Sequence, residues 1–142
     1  MNSTGVIRFK HLPQSIIKRI IASWPNYSQK VANEMIRKYG TPYEATPTML
    51  VWQYNGPWKR TVVHKEGARH NIPHKHADVL EQTIDAKVQI DRYQEIIKFD
   101  GSIMINRTRG EMTAYCEDEH ANMLLLNLAH DISIGKIPGE KA

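Results

Sequence analysis

Ile16, Ile17, Ile20, Ile21 and Trp24 fall on one side of a helical wheel, with Lys18 and Arg19 turned away, so residues 14–24 read as an amphipathic helix. Pro25 ends it, because a proline disfavours helical backbone in the residue before it. Val31, Ala32, Met35, Ile36 and Tyr39 repeat the stripe and predict a second helix, with Ser28 as its N-cap and Gly40 just past its end. The character then changes. Two prolines in TPYEATP exclude a helix, and TMLVWQY and WKRTVVHK are rich in β-branched and aromatic residues on either side of Asn55-Gly56-Pro57. Asn-Gly between such runs predicts a hairpin. A three-residue loop would set Tyr54 opposite Trp58 and Trp52 opposite Arg60, gathering an aromatic and cationic face.

Residues 66–75 (EGARHNIPHK) are polar, carry Gly67 and Pro73, and read as a loop. Residues 78–90 fit a strand, and a short helix from Asp91 has Gln94 placed for a capping box. A second hairpin follows in residues 102–108 and 111–116, turning at Arg109-Gly110. Glu117, Asp118 and Glu119 are acids at a helix start, and residues 121–134 are apolar almost all round, the profile of a helix buried at the centre of a domain. About five strands, mostly joined by hairpins, define an α+β fold. It is an antiparallel sheet with helices on one face, two at the N-terminal end and a buried one at the C-terminal end. The 142 residues form a single domain, of which residues 1–10 read as a disordered lead or an edge strand.

Charge adds what the pattern does not. The net +4 hides a split: residues 1–76 carry twelve Lys/Arg against three acids, and residues 77–142 carry seven against twelve. Such asymmetry marks either a face for polyanions or two halves that attract each other. No 20-residue apolar run is present, so membrane insertion is not expected. The single Cys116 and an N-terminus without an apolar signal region predict a cytoplasmic protein.

The motifs of nucleotide binding, serine hydrolases and zinc proteases are all missing. Two constellations remain. Trp52, Tyr54, Trp58, Lys59 and Arg60 could form a ligand or partner face, since aromatics beside cations stack bases and hold phosphates. His70, His74 and His76 with Asp78 have the ligand types for zinc or a similar divalent metal, although Lys65, Arg69 and Lys75 place positive charge there. Cys116 lies among acids that raise a thiol pKa and reads as structural. His130, in the last helix, reads as a buried hydrogen-bonded histidine.

The run from Lys38 through Arg60, together with DVLEQTID, FDGSIMINRTRGEM and LNLAHDI, resembles a family of small bacterial proteins with no assigned function. The resemblance implies bacterial origin and brings no catalytic or ligand residues with it. Residues 28–64 also resemble part of the BamE-type outer-membrane assembly lipoproteins, in a helix ending at Tyr39-Gly40, a following proline and a tryptophan-bearing hairpin. This chain lacks their signal peptide and lipobox cysteine; what the likeness implies is helices on an antiparallel sheet.

The expected function is a non-enzymatic, self-associating binding module with no resident cofactor. The alternatives are a metal-dependent enzyme built on the histidine cluster and a nucleic-acid or polyanion binder built on the aromatic hairpin.

Overall fold

A computed structural model of the chain describes residues 12–70 and 76–136, and of Arg69 and His70 the backbone alone. Helix α1 spans Gln14–Ile21 and α2 spans Asn26–Tyr39. Ser28 does not cap α2. The helix begins two residues earlier, behind Pro25, and the buried Ser28 hydroxyl donates to the Pro25 carbonyl at 3.1 Å. Six strands follow, β1 Glu44–Thr46, β2 Met49–Asn55, β3 Trp58–His70, β4 His76–Asp85, β5 Met104–Asn106 and β6 Glu111–Cys116. A single 3₁₀ turn, Ile90–Arg92, leads into α3, Tyr93–Phe99, and α4 closes the described residues as Glu119–Ser133. The capping box expected at Asp91 is not made, because the chain enters α3 through that 3₁₀ turn with no side-chain cap.

The strands form one antiparallel sheet in the order β1-β2-β3-β4-β6-β5. The α+β class holds, with one strand more than expected, the short β1. The segment read as a loop is different in kind. β3 continues to His70, and β4 starts at His76, so that His70 and His76 pair across a long hairpin. Gly67 makes this possible where the register shifts between Val63 and Ala68. A Cβ at Gly67 would lie 1.8 Å from the Asp78 carbonyl oxygen, so no side chain fits the bulge.

Register fixes which side chains share a face. Leu50, Val63, Leu80 and Cys116 lie in one row across four strands, and Trp52, Thr61, Gln82 and Ala114 in the next. These rows meet the helices. Ile17, Ile21, Trp24, Val31, Ala32 and Met35 of the α1–α2 segment pack on Leu50, Trp52, Val63 and Leu80. A second core gathers Ile96, Leu126, Ala129 and Ile132 from α3 and α4 on Met112, Ala114 and Trp58. Tyr39 touches both cores. All four helices therefore cover one face of the sheet.

The β2–β3 turn corrects the expected register. Asn55 pairs with Trp58, so the loop is Gly56-Pro57, and Trp52 lies opposite Thr61 rather than Arg60. Gly56 has φ +58°, the positive value that a type II′ turn needs at its first loop position. Tyr54 also has positive φ, +49°, and drops out of the paired ladder.

Candidate functional site

Where the two cores meet, a carboxylate is held from four directions. Asp118 caps α4 by accepting the Ala121 N–H at 2.8 Å, which makes Glu119 the first helical residue and aims it at the end of α2. Lys38 donates to Glu119 Oε1. Oε2 accepts from the Tyr39 hydroxyl, from Trp58 Nε1 at 2.7 Å and from Gln82 Nε2 at 3.3 Å. The Glu119 side chain is 13% exposed. Behind it the network runs inward: Gln82 and Asn55 both donate to Thr61 Oγ1, and Asn122 Nδ2 donates to Gln82 Oε1 and to the Leu80 carbonyl.

Burial pushes the Glu119 carboxyl upward, but the hydrogen bonds from Lys38, Tyr39 and Trp58 outweigh it and hold the group below its ordinary value of 4.5. The same contacts raise Lys38, while Tyr39 is raised first by burial and then by Glu119. An ionised carboxylate with its lone pairs already filled is a poor base. Its chemistry is to join α2 and α4 to two strands, β3 and β4. A groove of about 530 Å³ lined by Glu34, Arg37, Asp118 and His120 opens beside it.

Glu111, at the start of β6, is a second engaged carboxylate and is fully buried. Arg60 Nη2 reaches it at 3.1 Å and Lys59 Nζ at 3.0 Å, and Lys59 also bridges to Asp85 at 3.0 Å. Burial again opposes ionisation, and Arg60 and Lys59 overcome it, so Glu111 too lies below 4.5. On the sheet face opposite the four described helices, His64 Nε2 meets Glu81 Oε1 at 3.1 Å, and the His64 ring lies 5.1 Å from that of Tyr115. Lys38, Lys59, Arg60 and His64 all come from the basic half of the chain, and the acids they meet all come from the acidic half. The charge split is thus drawn together within the chain.

The aromatic and cationic face does not assemble as the three-residue loop would have it. Trp52 is buried under α1 and α2, with Nε1 donating to the Gly40 carbonyl at 2.9 Å. Trp58 is buried in the other core, with its indole N–H on Glu119. Lys59 and Arg60 are engaged by Glu111. Tyr54 alone of the five stands in solvent, 76% exposed, because its left-handed backbone swings the side chain off the sheet. Of the histidine group, His74 and the side chain of His70 lie outside the described residues. His76 Nε2 is 3.5 Å from Asp78 Oδ1, and among the described residues no three His, Cys, Asp or Glu side chains converge to hold a metal. His130 is half exposed beside Asp131 rather than buried. Burial and the nearby Asp78, Asp100, Asp118 and Glu117 push the Cys116 thiol up to about 12, an unreactive group.

In the sequence Glu119 is one acid of a helix-start triplet, Glu117-Asp118-Glu119. Its partners stand 37 to 81 residues away in the chain, and no local signal ties them together. The result defines a class: an α+β protein with one helix-covered sheet face and two cores joined by a partly buried carboxylate. Comparison with family models, with curated proteins and with solved structures finds no match. Among the described residues, no helix is long and apolar enough to cross a membrane.

Proposed function

We propose that the protein is a non-enzymatic, cytoplasmic interaction module that pairs with a second copy of itself through the outer face of α4. The observation that carries this reading is the apolar surface that α4 leaves uncovered: Met123 is 36% exposed, Leu124 56% and Ile134, at its C-cap, 61%. Met123, Asn127, His130 and Ile134 follow one another by four, three and four residues and so share a line along the helix. Charge favours a copy of the same chain in antiparallel orientation. Glu117 and Asp118 stand at the start of the helix and His130 and Lys136 at its end, so a two-fold axis sets each end against its complement. The saturated state of Glu119 and Glu111 supports a binding rather than a catalytic role, as does a thiol held at about 12.

Sedimentation equilibrium across a wide concentration range tests the pairing. The wild type is expected to dimerise, and Leu124→Glu to remain monomeric with an unchanged circular dichroism spectrum and melting temperature. A wild type that stays monomeric at every concentration overturns the proposal. Turnover in a broad hydrolase screen, lost on substitution of Glu111 or Glu119 in a variant that still folds, replaces the non-enzymatic reading.

A further inference from the structure

The cations drawn from the basic half that have just been described are occupied by acids. In the acidic half, three line one cavity with no acid among its lining residues. Lys87, Arg107 and Arg109 line a cavity of about 270 Å³ between the segment leaving β4 and the β5–β6 turn, together with Gln89, Thr108 and Gly110. No carboxylate lines it, and none of the three cations has a side-chain partner among the described residues. The backbone holds the cavity in shape. The Ala86 N–H donates to the Gly110 carbonyl at 2.8 Å, the Gly110 N–H to the Arg107 carbonyl at 3.3 Å, and Asn106 Oδ1 accepts the Arg109 N–H at 3.0 Å. Gly110 has φ +65°, and a Cβ there would come within 3.4 Å of Lys87 Cγ, so the lysine stem runs along the turn.

We propose that this cavity is a binding site for a phosphate-type oxyanion. Two guanidinium forks and an ammonium supply the charge-assisted donors that a tetrahedral oxyanion takes in a bidentate manner, and the Thr108 hydroxyl and Gln89 amide add neutral ones. A volume of about 270 Å³ has room for a phosphoryl group. That group has two sources of the same chemistry, the terminal phosphate of a small molecule or the phosphodiester of a nucleic-acid strand. This site is separate from α4 and does not depend on self-association.

The test is a titration of the full chain with sodium pyrophosphate and, separately, with a fluorescein-labelled oligothymidylate. Amide shifts of Thr108, Arg109 and Gly110 and fluorescence anisotropy are the readouts. The expected result is a saturable shift of those amides by one of the two probes, weakened at least tenfold in Arg107→Gln/Arg109→Gln and reduced by added salt, while Lys30→Gln on α2 leaves it unchanged. All of these side chains are exposed, so the variants retain their fold. Saturation by pyrophosphate identifies a small-molecule phosphate site, and saturation by the oligonucleotide alone identifies a strand site. Binding of neither probe, or binding that survives the double variant, overturns the proposal.

Discussion

Helices α2 and α4 are fourteen and fifteen residues long and lie on the same face of one sheet, yet they dispose of their surfaces differently. α2 buries Val31, Ala32 and Met35 and shows Lys30, Asn33, Arg37 and Lys38 to solvent, the ordinary division of a surface helix. α4 buries Leu126, Ala129 and Ile132 but still shows Met123, Leu124 and, just beyond its last residue, Ile134. A sheet can cover only one stripe of a helix. Where the sequence is apolar beyond that stripe, the surplus points outward. An apolar surplus is thus not proof of a central position; it also fits a helix whose second face is meant for another chain. Glu119 is the fastening between these two unlike helices, since it starts α4 and takes its charged partner from the end of α2.

The contrast can be broken most severely at the buried stripe. Leu126→Ala should destabilise the fold by about 2–5 kcal/mol, the usual result of emptying a packed leucine site, whereas Leu124→Ala in dilute solution should stay within about 0.5 kcal/mol. Urea denaturation of the two variants, only two residues apart, measures the difference directly, and equal losses would contradict the division of α4 into covered and uncovered stripes. A smaller loss is expected at the fastening. Glu119→Gln keeps the shape but turns an amide toward the Trp58 and Gln82 donors, for about 1–3 kcal/mol. The loss should shrink in a Lys38→Met background, because the two changes remove one interaction. Strict additivity would show that Lys38 and Glu119 do not act together.

Acid should produce the mildest graded effect. Glu119 and Glu111 have folded values below the ordinary 4.5, so their contribution is complete above that pH and is lost as the pH falls through the folded values. Melting temperature should therefore decline below about pH 4.5, with a shallower decline in Glu119→Gln. An identical acid profile in that variant would place the sensitivity elsewhere.

Much of the fold was legible because it rests on local pattern. The isoleucine stripe of α1, the Val31–Met35 stripe of α2 and the tryptophan-bearing hairpin all follow from spacing alone. Several features did not, each for a physical reason. The hairpin closes through Gly56-Pro57 rather than through three residues, and that difference of one residue sets the register and with it the company that Trp52 and Trp58 keep. Gly67 looked like a loop glycine, but it marks a bulge within a continuing strand, where the missing side chain is needed for backbone approach. The split of charge between the halves was plain in the sequence, while the pairing of Lys38 with Glu119 and of Arg60 with Glu111 depends on tertiary proximity. Summing charge by halves also hid Lys87, Arg107 and Arg109, which are few in number but brought together by a turn.

The three tryptophans carry a consequence of their own. Each buried indole fastens a different joint, Trp24 to the Pro47 carbonyl at 3.0 Å, Trp52 to the Gly40 carbonyl at 2.9 Å and Trp58 to the Glu119 carboxylate at 2.7 Å. Two of these acceptors are peptide oxygens that never titrate. The third gains a proton in acid. Intrinsic emission from the folded protein thus contains two steady lamps and one that answers to the charge on a single side chain, a built-in optical probe of the seam between the cores that needs no dye and no added label.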